Sequence, residues 1–313
     1  MDAVEINDID NENILLEITT CQTSSFKLIM EALKDALKDI NIKFIRPRDE
    51  NTGGLSIVAY NPYTAVLIKV KIPAKSFDKF YMKNIEGLNE INIGVNMSSF
   101  NKLIKTSTNN DNLSLILEED DKNFLGIKFE NGDQGILTYY KLKLLELEDD
   151  GIHLPTTHFP FKIVIPSDRL HKTFRDASFI ADKINIKFID TVDFRNTLIF
   201  SCNGEFASQE TILTDKTEGL NINKNIDYAN EEIIVKGTYD LKNLSLFSKC
   251  QNMCNNIEMF FKNNFPLIIK YQVANLGHVL LVLSTIKSDD KIIDDESDNE
   301  SCSDNENVEN EFD

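Results

Sequence analysis

Ile40-Asn41-Ile42-Lys43-Phe44 returns unchanged as Ile184-Asn185-Ile186-Lys187-Phe188, each time closing a short segment of helical pattern. The echo continues in register. Gly94-Val95-Asn96-Met97 opens one helical stretch and Gly237-Thr238-Tyr239-Asp240 opens another at the matching distance. Leu125-Gly126-Ile127-Lys128-Phe129 is then answered by Leu267-Ile268-Ile269-Lys270-Tyr271, the offset drifting only from 144 through 143 to 142 residues. Two diverged copies of one unit therefore fill most of the chain. Duplication of a helix-poor unit predicts a pseudo-symmetric object in which each copy presents the same face to the same task.

The 313 residues suit two domains of ordinary size, each able to bury its own core. No apolar run is long enough to cross a bilayer, and the first residues are acidic where a signal peptide is basic and then apolar. A soluble, intracellular protein is expected, with no membrane partner. Five cysteines (Cys21, Cys202, Cys250, Cys254 and Cys302) are scattered and odd in number, which argues against a disulfide framework. Cys250 and Cys254 stand four apart without a second Cys or His pair nearby, so core packing is favoured over zinc.

The net charge of −18 is concentrated at the ends. Residues 288–313 hold twelve acidic residues against one lysine, and residues 1–20 hold six against none, leaving a nearly neutral body. The pattern divides the chain into an acidic extension (1–12), a first domain (13–145), a connector (146–160), a second domain (161–287) and an acidic tail (288–313). The connector breaks the periodic pattern with Gly151, Pro155 and Pro160, and the tail has too little apolar surface to fold. Strands are predicted at 13–20, 55–60, 64–72, 112–118, 124–130 and 136–145, and again from 161. Helices are predicted at 25–38, 98–106, 168–178 and 239–250. The fold class is α+β, each domain placing two short helices on antiparallel sheet.

All four helices pair an apolar stripe with a basic one. Lys27 and Lys34 are seven apart on the first, and Lys102 and Lys105 share a face of the second. Arg169, Lys172 and Arg175 step along the third, and Lys242 and Lys249 are seven apart on the fourth. Lysine and arginine are ordinary solvated residues of helix surfaces. Four helices out of four, in a body of almost no net charge, point further. If both domains turn their helices to one side, these residues form a positive surface suited to the phosphate backbone of a duplex, read by charge alone.

The runs 25–35 (SFKLIMEALKD), 94–105 (GVNMSSFNKLIK), 141–147 (KLKLLEL) and 265–278 (FPLIIKYQVANLGH) resemble the proliferating cell nuclear antigen family, the sliding clamps of DNA replication, in order and spacing from about residue 13 to 287. The resemblance implies a pseudo-six-fold ring of three identical chains around double-stranded DNA, bound without regard to sequence. It carries the family's inner-face positions onto the basic residues above other than Arg169, and its subunit joint onto strands near 137–144 and 206–213. It also implies a pocket for partner peptides beneath the connector, mapped to Tyr60, Thr64, Ile152, Leu154, Pro155, Pro266, Val282, Ser284 and Ile286. Three departures shift that pocket: Thr64 and His153 replace residues usual at their positions, and Ser284-Thr285 stands where Ala-Pro is common. The partners so implied are a DNA polymerase, a clamp-loader ATPase and other replication and repair proteins, in the nucleus or in a cytoplasmic viral factory. Asn, Ile and Lys are abundant, as in an AT-biased genome, and the loop 190–196 holds no lysine for ubiquitin-type modification.

Nothing supports catalysis, a cofactor or a metal. No GxxxxGK[ST] loop is present, and the four histidines (His153, His158, His171 and His278) lie apart in sequence with no spacing that completes a nucleophile–base–acid set. Two other readings remain at this stage. One is a checkpoint-type clamp subunit assembling only with paralogues, and the other is a β-rich interaction protein without a DNA role, which the basic stripes disfavour.

Overall fold

The computed structural model describes residues 13–49, 52–61, 66–148, 151–152, 157–225, 228, 232–245 and 247–286, with 248 and 249 placed by backbone alone. The acidic extension, the tail and most of the connector's centre fall outside them. The first copy runs β1 (Ile14–Thr20), α1 (Thr23–Ala36), β2 (Asp39–Ile45), β3 (Gly54–Tyr60), β4 (Val66–Pro73), β5 (Lys79–Met82), β6 (Glu90–Asn96), α2 (Met97–Ile104), β7 (Asn112–Glu118), β8 (Phe124–Asn131) and β9 (Ile136–Lys143). The second repeats the order as β10 (Phe161–Pro166), α3 (Ser167–Ser178), β11 (Lys183–Asp190), β12 (Thr197–Asn203), β13 (Ser208–Leu213), β14 (Asn221–Lys224), β15 (Ile233–Asp240), α4 (Leu241–Ser245), β16 (Asn256–Phe260), β17 (Leu267–Val273) and β18 (Gly277–Leu283). The α+β architecture with four helices on antiparallel sheet is as expected.

The repeated INIKF is the strand that follows the first helix of each copy, in β2 and in β11. Its alternation explains its persistence: Ile40, Ile42 and Phe44, like Ile184, Ile186 and Phe188, are buried, while Asn and Lys take the other face. Strand pairing corrects one match read from the sequence. Gly94 lies opposite Asn41, whereas Thr238, not Gly237, lies opposite Asn185. The structural counterpart of Gly94 is therefore Thr238. At both positions a departing chain crosses the strand, with Leu145 N–H donating to the Gly94 carbonyl and Ile286 N–H to that of Thr238, each at 2.8 Å.

Helix ends also differ from expectation. α1 begins and ends two residues before the predicted 25–38, because Leu37 is extended. The predicted helix 239–250 is not one helix. α4 stops at Ser245, and a 3₁₀ turn spans Ser248–Asn252. Asn243, Ser245 and Ser248 are weak helix formers that compete for backbone hydrogen bonds, and burial of Phe247 and Cys250 holds the tighter turn in place. Lys242 and Lys249 thus do not share a helix.

Three sheets result, of order β5-β1-β7-β8-β9, β13-β12-β11-β15 and β14-β10-β16-β17-β18-β4-β3-β2-β6. The nine-stranded sheet crosses from one copy to the other through the antiparallel pair β18–β4, in register from His278 opposite Lys71 to Leu283 opposite Val66. The apolar interior is correspondingly continuous across both copies rather than divided into two cores. On one side, α1 packs beside α2 through the edge-to-face pair Phe26–Phe100, at 6.3 Å between ring centres. α3 packs beside α4, and the 3₁₀ turn touches both α1 and α3, so the helices of both copies make one row. Among the described residues no helix is long and apolar enough to cross a membrane.

Gly277 opens β18 where the copies meet. A Cβ there would lie 2.2 Å from the Lys71 carbonyl oxygen, which is backbone and cannot rotate away. Gly277→Ala should destabilise the chain by about 2 kcal/mol through forced separation of β18 from β4. A urea unfolding midpoint unchanged from wild type would refute this.

Candidate nucleic-acid interface and outer pocket

The helix row holds every described member of the predicted basic surface, but their states differ. Lys102, Lys172 and Lys242 are exposed and Lys34 half-buried, and none of their ammonium groups makes a hydrogen bond or ion pair with another described residue. Lys27 is engaged: its ammonium donates to the carbonyls of Lys105 at 3.1 Å and Ser107 at 2.9 Å, just past the end of α2. These carbonyls sit at the negative end of the helix dipole, so Lys27 caps α2 from α1. Lys105 reaches back to Glu31 of α1 at 2.7 Å. Arg169 donates from Nη1 to the Glu218 carbonyl, at 2.9 Å, and Arg175 lies 4.0 Å from Asp176. The backbone of Lys249 lies in the 3₁₀ turn. The row can thus offer loose ammonium groups to a polyanion, while Lys27, Lys105 and Arg169 are tied to the protein.

The face of the nine-stranded sheet that points away from the main core carries a second, smaller apolar cluster. Leu67, Phe159, Phe260, Ile268, Leu280 and Val282 form it, with Val58, Ile152 and Phe265 packed against them. Strand register explains the alignment: Phe260, Ile268, Val282, Leu67 and Tyr60 lie opposite one another across β16, β17, β18, β4 and β3. Phe159 packs on Phe260 and on Phe265, both at 5.6 Å. Lys262 covers Phe265 from 5.0 Å and donates to Thr157 Oγ1, fastening the connector's end to the sheet.

Of the residues mapped to the partner pocket, the structure brings Ile152 and Val282 into this cluster and sets exposed Tyr60 opposite Leu67. Half-buried Pro266 sits between Phe265 and β17, while Ser284 and Ile286 follow β18. Thr64, Leu154 and Pro155 lie outside the described residues. Sequence reasoning missed Leu67, Phe159, Phe260, Phe265, Ile268 and Leu280. The available signal was the unbroken apolar run Val279 to Leu283, which marks a strand covered on both faces.

Buried titratable groups elsewhere are structural. The His171 imidazole meets the Tyr271 hydroxyl at 3.3 Å and is held neutral by burial, its pKa lowered to about 4. Burial raises the Cys254 thiol to about 11 and pushes Cys250 up further, so both are inert. No group of three or more His, Cys, Asp or Glu residues able to hold a metal ion occurs among the described residues.

Two family models match, described as proliferating cell nuclear antigen, N-terminal domain, over residues 15–153, and C-terminal domain, over residues 153–286. The chain belongs to the proliferating cell nuclear antigen family. Similar curated proteins include a probable DNA polymerase sliding clamp 1 of Paramecium bursaria Chlorella virus 1, 28% identical over 90% of this chain and 100% of that protein. A probable DNA polymerase sliding clamp of Acanthamoeba polyphaga mimivirus is 26% identical over 88% of this chain, which spans 63% of that longer protein. The proliferating cell nuclear antigen of Chaetomium thermophilum is 24% identical over 88% of this chain and 100% of that protein. Membership accounts for the duplication, and clamps of this family are scaffolds rather than enzymes.

The contrast within the helix row is testable. Lys27→Met should lower stability by about 1 kcal/mol, because two carbonyls at a helix end lose a charged donor. Lys102→Met should change it by less than about 0.5 kcal/mol. Matching urea midpoints for the two variants would show that the Lys27 contact contributes nothing.

Proposed function

We propose that this chain is a DNA polymerase processivity factor that closes with two further copies into a ring around duplex DNA. The observation that carries the assembly is a mismatch in burial between equivalent strands. β18 and β4 join the copies within the chain, and β18 is buried along its whole length. Their counterparts in the other copy, β9 and β13, are the outermost strands of their sheets and are largely exposed. Joining β9 of one chain to β13 of the next would append the four-stranded sheet to the five-stranded one. The product is a nine-stranded sheet of the same design as the one inside the chain.

The internal joint also predicts the register of the external one. Transferring the β18–β4 pairing through the repeat sets Leu137 opposite Ile212, Thr138 opposite Thr211 and Tyr139 opposite Glu210. Leu137 and Ile212 are 38% and 54% exposed in the single chain, and their contact removes apolar surface and two open edges together. Such a joint between different surfaces closes when its rotation divides a full turn, which six repeats achieve in three chains.

In that ring the helix rows line the hole. Lys34, Lys102, Lys172 and Lys242, with Lys27, Lys105, Arg169, Arg175 and Lys249 beside them, offer numerous weak contacts indifferent to sequence. A flexible ammonium exchanges between phosphate and water at small cost, so the ring slides. Retention is then topological, and opening falls to a separate loader ATPase. The outer cluster under the connector takes peptide segments of the polymerase and other partners. The site of action is wherever the genome concerned is replicated, nuclear or viral.

For assembly, native mass spectrometry at micromolar concentration should give a trimer. Ile212→Glu should dissociate it, and adding Leu137→Lys should restore it in part by setting opposite charges across the joint. A wild-type monomer overturns the ring, and failure of the second change to restore overturns the register. For DNA, loaded protein should remain on closed circular duplex and leave it within seconds of linearisation. Lys102→Glu with Lys172→Glu should impair loading and processive synthesis at unchanged trimer mass. Full-length synthesis by that variant across a salt series would make these lysines merely solvated.

A further inference from the structure

The outer face of the nine-stranded sheet holds a group of lysines that the clamp reading does not use. Beside the apolar row lie Lys270 on β17 and Lys69 on β4, flanking Leu280. In the next row, Lys71 lies opposite His278, and Lys43 is one strand beyond Ser56. Adjacent strands are about 4.8 Å apart and alternate residues about 7 Å, so the four ammonium stems arise from a patch of roughly 7 by 20 Å. Among the described residues Glu258 is the one carboxylate within these rows, and Lys162 and Lys270 contact it at 3.4 and 3.7 Å. His278 sits among these lysines, opposite Lys71. It is buried, its Nε2 has no hydrogen-bond partner among the described residues, and burial together with Lys270, Lys69 and Lys71 lowers its pKa to about 4.

The same chain carries the complementary charge. Ile286, anchored to Thr238, lies four residues past Val282 of the outer cluster. Seven acidic residues and one lysine follow between Asp289 and Glu300. Twelve residues of extended chain span about 40 Å, enough to cross the patch from the end of β18. The segment also carries Ile292 and Ile293, apolar side chains able to reach the outer cluster, between two acidic pairs.

We propose that residues 289–300 dock on the outer sheet face, with carboxylates over Lys43, Lys69, Lys71 and Lys270, and there compete with partner peptides for the adjoining cluster. Covalent tethering raises the local concentration of the segment to the millimolar range, so individually weak contacts suffice. The contact is electrostatic and loosens as the screening length falls from about 14 Å at 0.05 M salt to about 4 Å at 0.5 M. A partner whose peptide carries its own acid beside its aromatic anchors displaces the tail more readily than a neutral one. The competitive effect rests on the pocket reading above, whereas the docking does not.

The test separates the two. Zero-length carbodiimide coupling of the full chain, read by peptide mass spectrometry, should join Lys69, Lys71 or Lys270 to carboxylates of 289–300 at 0.05 M salt and not at 0.5 M. Absence of these cross-links at low salt overturns the docking. A fluorescent peptide with one aliphatic and two aromatic anchors should bind the chain ending at Lys287 about three- to tenfold more tightly than the full chain at 0.05 M salt, and equally at 0.5 M. Lys69→Glu with Lys71→Glu in the full chain should reproduce that gain. Equal affinities at low salt overturn the competition. If neither form binds the peptide, the pocket reading fails while the cross-links still decide the docking. Cross-links replaced by duplex DNA bound to the same lysines in the truncated chain would reassign the patch and overturn the proposal.

Discussion

The antiparallel pairing of β18 with β4 is the constraint on which the rest of the molecule depends. It turns two copies of a domain into one sheet and one interior, and it fixes the angle between them. Because β18 is buried on both faces, apolar without interruption from Val279 to Leu283, the joint has little freedom to slip register. The helix row is a consequence. Once the sheets are continuous, α1 and α3 are brought to the two sides of the same 3₁₀ turn, and their outward residues fall on one surface.

That surface is less uniform than its composition suggests. Crossed contacts, Lys27 to carbonyls at the end of α2 and Lys105 to Glu31 of α1, bind the two helices of the first copy to each other. The second copy lacks this arrangement among its described residues, because α4 is a single short turn of five residues followed by the 3₁₀ segment. Charge of one sign therefore serves two ends: some lysines hold helices in place, and others remain available to a polyanion.

Much of this was legible in the sequence because repetition and alternation report burial directly. INIKF had to be kept twice since three of its five side chains enter the core in each copy. Basic residues opposite apolar stripes gave the helix faces for the same reason. Legibility failed where the structure depends on pairing between distant strands. Gly94 and Gly237 look equivalent in one dimension and are one residue apart in register. The outer cluster draws on Leu67, Phe159, Phe260 and Leu280, which no local pattern connects. The fourth helix reads too long from sequence because apolar spacing persists through the 3₁₀ turn while helix propensity does not. The strands β2, β5 and β6 escape the sequence reading, INIKF of β2 being read only as the close of a helical segment and β5 having only four residues.

The duplication leaves an asymmetry that bears on how such a protein ages and varies. The internal seam and the free edges occupy equivalent places in the repeat but live under different rules. The one inside the chain can never lose its partner, so its strands need not be soluble alone, and the seam is apolar except at Lys69, Lys71 and His278. The free edges face water in the single chain, and β9 and β13 keep Thr, Tyr, Lys, Gln and Glu among their apolar residues. Solubility of the newly made chain thus limits how adhesive the edges can become. Any ring built from such edges would inherit the compromise that keeps the separate chain in solution.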